Sequence, residues 1–447
     1  MRYNQYIDSN VDWIGPVPST WHRLRIKFGV RRSAAGVWGS DEKGDSNDVA
    51  CFRIADFDYN YGILKLDNIT IRNIEKSQLQ GRLLSEGDLL IEKSGGGDAT
   101  PVGRVVRVNY EGKATCSNFV HSISLNEKLD SNFMYYYFHY LYANKENLLF
   151  FNQTTGLQNL KVADYLSQSI YVPTFIEQKE IASYLDQKCK KIDNVIAALQ
   201  KRIELLQELK QSIITRAVTQ GINPNVKLKD SEVEWIKSIP QNWIIAPLKS
   251  IGRMFKGVTF TKAELVDEGN PVISYGQIHS KENKGTKLHE SLIRYIPNSL
   301  IQNAHSSLVG KGDFIFADTS EDLEGSGNAV YIDKDCQIYG GYHTIVFRTE
   351  SVQNKYFAYL FLTDSWRSQI RSRVSGVKVY SITQSILSTT KVIIPPPEEQ
   401  QIIANYLDDK CNKIDPSIAK AHHQIDLLKE YKQSLITEVI TGKRKVC

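Results

Sequence analysis

Long apolar runs are missing from this chain of 447 residues. No stretch approaches the roughly 20 apolar residues that span a bilayer, and Met1-Arg2-Tyr3-Asn4-Gln5-Tyr6 lacks the apolar core of a secretory signal. A cytoplasmic protein with no membrane partner is expected. Cysteine is scarce, and Cys51, Cys116, Cys189, Cys336, Cys411 and Cys447 include no C-x-x-C pair. That excludes a zinc knuckle or a disulfide framework and leaves free thiols. A strong excess of one charge is also absent: 55 Lys and Arg against 50 Asp and Glu give a net +5, which suits nucleic acid without demanding it. What remains is 41% hydrophobic and 23% charged, a globular balance, over a length that ordinary domain sizes divide into two to four domains.

The chain contains one internal repeat. EQKEIASYLDQKCKKID from Glu177 and EQQIIANYLDDKCNKID from Glu399 share 12 of 17 positions at an offset of 222. The same offset relates VDWIGPVPSTW from Val11 to VEWIKSIPQNW from Val233, and LLQELKQSIIT from Leu205 to LLKEYKQSLIT from Leu427. The halves are therefore two copies of one unit: a short lead-in motif, a body of about 150 residues and a long helical segment.

The bodies, roughly 22–172 and 244–394, align only in scraps: Gly87-Asp88-Leu89 with Gly312-Asp313-Phe314, His121 with His343, and Tyr137–Leu141 with Tyr356–Leu360. Strand-like runs at 88–91, 122–125, 313–316 and 344–347 mix with helical ones around 134–141 and 356–362, punctuated by glycine and asparagine. Each body reads as an α+β domain with a curved, mostly antiparallel sheet.

The helical segments carry apolar residues at steps of three and four: Ile181, Leu185, Cys189, Ile192, Ile196, Leu199, Ile203, Leu206, Ile213 and Ala217 in the first. In the second they are Leu407, Cys411, Ile414, Ile418, Ala421, Ile425, Leu428, Leu435 and Val439, with Lys210 and Lys432 interrupting the two seams at equivalent places. This is coiled-coil spacing. Thr174 and Glu177 predict a capping box, Pro395-Pro396-Pro397 a strand stop and a first-turn proline, and Gly221 and Gly442 the helix exits. A helix over about 176–219 would be about 65 Å long at about 1.5 Å per residue. Packing the two seams against each other as an antiparallel pair buries both and relates the two halves by a pseudo-two-fold axis. A core helix inside each body is the plainer alternative.

Catalytic motifs are not found. Asn223-Pro224-Asn225 lacks the second proline and the aromatic residue of an adenine-methyltransferase tetrapeptide. Ser94-Gly95-Gly96-Gly97 with Gly103-Arg104 fails the phosphate-loop pattern, because Arg104 stands where lysine is required and no Ser or Thr follows. Glu208-Leu209-Lys210 has nuclease-like spacing but sits on a coiled-coil segment, and the adjacent His422 and His423 point to different sides of a helix. No metal site and no catalytic residue is expected in this chain.

Two lead-in motifs, two divergent bodies and two coiled-coil helices make the chain resemble the specificity subunits of type I restriction-modification enzymes over essentially its whole length. The junctions Ile170-Tyr171-Val172-Pro173 into Glu177-Gln178 and Ile393-Ile394-Pro395-Pro396 into Glu399-Gln400 carry the resemblance most specifically. The strand opening at Gly87 or Gly312 and the Lys93-Ser94-Gly95-Gly96 loop add to it; in the second half that loop departs to Asp318-Thr319-Ser320. The resemblance implies target-recognition domains at 1–173 and 222–395 and spacer helices at 174–221 and 396–447. It implies double-stranded DNA, two methyltransferase subunits and restriction subunits as partners. S-adenosylmethionine, ATP and Mg are then expected on those partners and no cofactor on this chain.

Base edges are distinguishable in the major groove, so two readers at a fixed separation specify two short sites and ignore the spacer. The expected contacts are polar or basic loop residues. In the first body these are Lys93, Ser94, Gly95, Gly96, Arg104, Asn118, Thr154, Thr155, Gln158 and Asn159. In the second they are Lys256, Thr259, Thr319, Ser320, Arg371, Arg373, Ser375, Lys378 and Tyr380. A structural adaptor with paired heads and no DNA sequence preference is the rival reading.

Overall fold

The structure, a computed structural model, describes all residues except 1, 12, 155, 350–354, 377 and 447. The long helices run Phe175–Gln220 and Pro397–Ile440. Gly221 at φ +76° and Gly442 at φ +71° end them in the left-handed conformation that glycine tolerates. Half of the expected capping box forms: the Glu177 N–H donates to Thr174 Oγ1 at 3.4 Å, while the Glu177 carboxylate accepts the Tyr3 hydroxyl at 2.6 Å. The second helix passes through Pro416, which has no N–H for the ladder.

The chain divides into two compact units, 1–201 with 422–447, and 202–421. Each long helix is thus shared between the units. In the first unit Ile181, Leu185, Cys189 and Ile192 join Leu435, Ile436, Val439 and Ile440 in one apolar core. In the second, Ile214, Ala217 and Val218 join Ile403, Leu407 and Cys411. Each unit pairs the beginning of one helix with the end of the other, as an antiparallel pair requires. Of the expected seam positions, Leu185, Ile192, Ile203, Leu407, Ile414, Ile425 and Leu435 are buried. Ile196, Leu199, Leu206, Ile213, Ile418 and Leu428 are half-buried, and none is exposed. Burying each aliphatic side chain fully contributes about 1.5–3 kcal/mol.

The single sheet expected for each body is corrected to two principal sheets. In the first body, strands in the order Val30–Ala35, Val120–Leu125, Leu89–Glu92, Val105–Arg107, Ile63–Leu64 and Phe57–Asp58 form a six-stranded sheet. It is antiparallel except where Arg107 pairs with Ile63. A four-stranded sheet follows the order Ala114–Cys116, Asp48–Phe52, Ile71–Asn73 and Ser40–Asp41. The second body repeats the plan with Gly252–Lys256, Thr344–Thr349, Phe314–Ala317 and Ala329–Tyr331 in one sheet. Its other sheet holds Arg294–Ile296, Asn270–Ile273, Ile338–Gly340 and Leu308–Val309.

The reason lies in the period-two alternation of a strand. Leu89 and Ile91 enter the core shared with the long helices, whereas Leu90 enters a separate core with Phe52, Val106 and Ala114. Phe314 and Phe316 face the helical core and Ile315 a second one with Ile273, Ile338 and Val346. A continuous apolar run marks a strand buried on both faces, and a second layer must cover the second face.

Candidate nucleic-acid interface

The divergent bodies share a backbone scaffold that their side chains conceal. In the first, the Lys93 N–H donates to Phe119 C=O at 2.9 Å and the Leu160 N–H donates to Lys93 C=O at 2.8 Å. In the second, the Asp318 N–H donates to His343 C=O at 3.1 Å and the Ile382 N–H donates to Asp318 C=O at 2.7 Å. Beyond these residues, Ser94 and Gly95 pair with Asn159 and Gln158, while Thr319 and Ser320 pair with Ser381 and Tyr380. Each body therefore brings two distant segments together as a small ribbon beside a turn, at Asn118-Phe119 or Tyr342-His343.

A third segment closes the site. The N–H groups of Gly36 and Val37 donate to Val120 and Cys116 carbonyls at 3.0 and 2.8 Å; those of Gly257 and Val258 donate to Thr344 and Gly340 at 3.0 and 2.7 Å. A Cβ on Gly36 would lie 2.1 Å from Ser117 O, and one on Gly257 2.0 Å from Gly341 O, so both crossings require glycine. Trp38 and Thr259 follow at matching positions.

These bonds correct two of the sequence alignments. His121 lies within a strand, opposite Ile91, and the structural counterpart of His343 is Phe119. Tyr136, rather than Tyr140, corresponds to Tyr359, since their hydroxyls donate to Asp186 at 2.8 Å and Asp408 at 2.7 Å, acids 222 residues apart. Insertions in the bodies shift the offset by a residue or more, which short identities cannot reveal.

The expected contact residues fall into two groups. Gly96, Asn118 and Asn159 are exposed, Lys93 and Gly95 half-buried, and Ser94 is buried and donates to Asn159 Oδ1 at 2.6 Å. Among the described residues Lys93 has no acidic partner; it lies near His121, whose imidazole burial pushes down to about 4, with the Lys93 charge adding to the effect. Thr154 ends the strand Phe151–Thr154, and Thr155 lies outside the described residues. Lys256, Thr259, Arg373, Ser375 and Lys378 are exposed, Thr319 and Tyr380 half-buried, and Arg373 donates to Thr389 Oγ1 at 3.0 Å.

Others face inward. Gln158, expected to read a base, is 2% exposed and its Oε1 accepts the Val102 N–H at 3.1 Å, so it braces the glycine-rich loop from beneath. Ser320 is buried and donates to Asp322 C=O at 2.6 Å. Arg104 is committed to Glu92 through bonds of 2.7 and 2.8 Å and lies over the Tyr59 ring at 3.7 Å. Arg371 is held by Glu324 at 3.0 Å and Asp364 at 3.1 Å.

Sequence reasoning missed the aromatic part of the site. Trp38, Arg53, Ile54 and Phe119 line a shallow concavity with Asn118, and Phe119 is 44% exposed. Its counterpart in the second body holds Tyr275, Tyr342 and His343, with rings in edge contact and His343 at φ +53°. A non-glycine residue held in that conformation is uncommon and concentrates at functional positions. Only the matched backbone bonds could have singled these residues out.

Two α+β bodies that carry divergent polar loops on a shared backbone scaffold, each packed on segments of both long helices, define a protein with two recognition domains. The family of type I restriction modification DNA specificity domains matches residues 40–207 and 240–420, and the chain belongs to that family. The type I restriction enzyme MjaVIII specificity subunit of Methanocaldococcus jannaschii is 22% identical over 296 residues, covering 65% of this chain and 66% of that protein. The chain thus matches just under two thirds of that relative's length. A chain in a solved structure of the type I R-M system, studied for complex assembly and conformational transition, superposes with a TM-score of 0.69. It is 15% identical, over 95% of this chain and 98% of that one. The HsdS subunit from Thermoanaerobacter tengcongensis gives 0.51 at 14% identity, over 96% and 98%. At these identities the solved structures speak to the fold.

Proposed function

We propose that this chain is the non-catalytic DNA-specificity subunit of a type I restriction-modification complex, reading an asymmetric bipartite target with one body per half. The carrying observation is the pair of loop sites, each built by the same backbone bonds yet lined by different side chains. An identical scaffold places base-reading groups at the same depth in the groove, and different groups select different bases.

The partners are one double-stranded DNA, two methyltransferase subunits and restriction subunits; S-adenosylmethionine, ATP and Mg are bound by those subunits. Leu205 and Leu209 on the first long helix, and Leu427 and Tyr431 on the second, are each about half exposed and stand 222 residues apart. Two copies of one apolar pair on a helix surface favour two copies of one docking partner.

The test incubates the full chain with the methyltransferase from its own host, S-adenosylmethionine and plasmid DNA, and maps modified bases. Modification at one bipartite sequence, only when both proteins are present, is expected. Modification without sequence preference would favour the adaptor reading, and methylation or cleavage by the highly purified chain alone would overturn the non-catalytic assignment.

A further inference from the structure

Where the strand leads into the loop, one position is held by the same two backbone bonds in both bodies, and its charge is reversed: Lys93 in the first body, Asp318 in the second. Lys93 is a donor-only group, and the adjacent acid, Glu92, is already taken by Arg104 and Tyr59. Asp318 offers only acceptors. Its Oδ1 lies 3.2 Å from His343 Nδ1, and since a carboxylate cannot donate, the imidazole hydrogen must sit on Nδ1. In the neutral ring Nε2 is then a second acceptor.

A carboxylate facing DNA is repelled by every phosphate, so it is tolerated where a base-edge donor meets it. A lysine there meets an acceptor edge. Resting on the two-reader function above, we infer that Lys93 and Asp318 are equivalent specificity-determining residues of opposite hydrogen-bond polarity. Lys93 selects guanine through its O6 and N7 acceptors. Asp318 selects an exocyclic amine, cytosine N4 or adenine N6. One loop position of a common scaffold thus makes the two halves of the target chemically unlike.

The full chain with its methyltransferase partner is used to select from a randomised duplex DNA library, as wild type, Lys93→Met and Asp318→Asn. The expected wild-type selection is bipartite, with a required guanine in one half and a required cytosine or adenine in the other. Lys93→Met should relax only that guanine and Asp318→Asn only the amine-bearing base, each by on the order of tenfold or more. The untouched half of each selected sequence reports that the variant is folded. If Lys93→Met weakens all duplexes equally and lowers the salt dependence, Lys93 is a phosphate contact and the inference fails while the two-reader function stands. It also fails if either variant keeps the wild-type preferences. Should a variant lose both halves, Lys93→Arg and Asp318→Glu decide: retained guanine and amine preferences support the inference, and lost ones overturn it. A wild type that selects no bipartite sequence overturns this inference and the two-reader function together.

Discussion

Lys432 Nζ lies 2.7 Å from both carboxylate oxygens of Asp193. The repeat has a second such pair, Lys210 with Asp415 at 2.6 Å, at positions 222 residues removed in both members. The lysines that interrupt the apolar seams are therefore each matched to an acid on the other helix, which sets the register of the helices within each unit. Exposure decides their worth: the Lys432 and Asp193 side chains are 20% and 17% exposed, those of Lys210 and Asp415 26% and 48%. Surface pairs contribute about 0–1 kcal/mol, and loss of one partner costs more as burial rises. Lys432→Ala should lower stability by about 1–3 kcal/mol and Lys210→Ala by less, read by denaturant unfolding. Equal effects would contradict this ordering.

Ile192 and Ile414, equivalent across the repeat, are both buried. Replacing either with Asp places an uncompensated charge in an apolar seam, at a cost on the order of 3 kcal/mol or more. A melting temperature unchanged in Ile192→Asp would refute the packing.

His139 carries an acid response. Burial, and secondarily the Lys432 charge, lower its imidazole to about 4, and its Nδ1 has no hydrogen-bond partner among the described residues. Burial and Lys93 lower His121 likewise to about 4. The unfolded chain binds these protons near pH 6.5, the native chain only near 4. Their contribution is therefore complete above about 6.5 and is lost as the pH falls toward 4. The melting temperature should decline across that interval. The corresponding position of the second body is Leu362. His139→Leu should flatten part of the decline, and a variant with an undiminished acid slope would count against the assignment.

Gln158→Ala removes the acceptor for the buried Val102 N–H. A loss of about 1–3 kcal/mol in stability is expected from the unsatisfied donor, with the selected DNA sequence retained. Relaxation of one base position without loss of stability would restore Gln158 as a direct reader.

Exchanging residues 22–172 for the corresponding body of another specificity subunit should change one half of the methylated sequence and leave the spacer and the other half fixed. Inserting one heptad into both helices should lengthen each by about 10 Å, at about 1.5 Å per residue, and alter only the spacer. A chimera in which both halves of the target change together would defeat the two-reader function.

The sequence by itself determined the repeat, the two long helices and the apolar positions of their seam, because helical periodicity is local and the offset of 222 is exact along the framework. Glycine and proline likewise marked the helix ends. It could not separate the two sheets of each body, since an apolar run such as Asp88-Leu89-Leu90-Ile91 does not say which layer covers which face. Nor could it tell Asn159, exposed, from its neighbour Gln158, buried, because that distinction belongs to a strand pairing between segments about 60 residues apart. Only the tertiary structure made Phe119 the counterpart of His343 and Lys93 the counterpart of Asp318. Those equivalences are written in backbone hydrogen bonds, which tolerate almost any side chain and so leave little trace in the residues themselves.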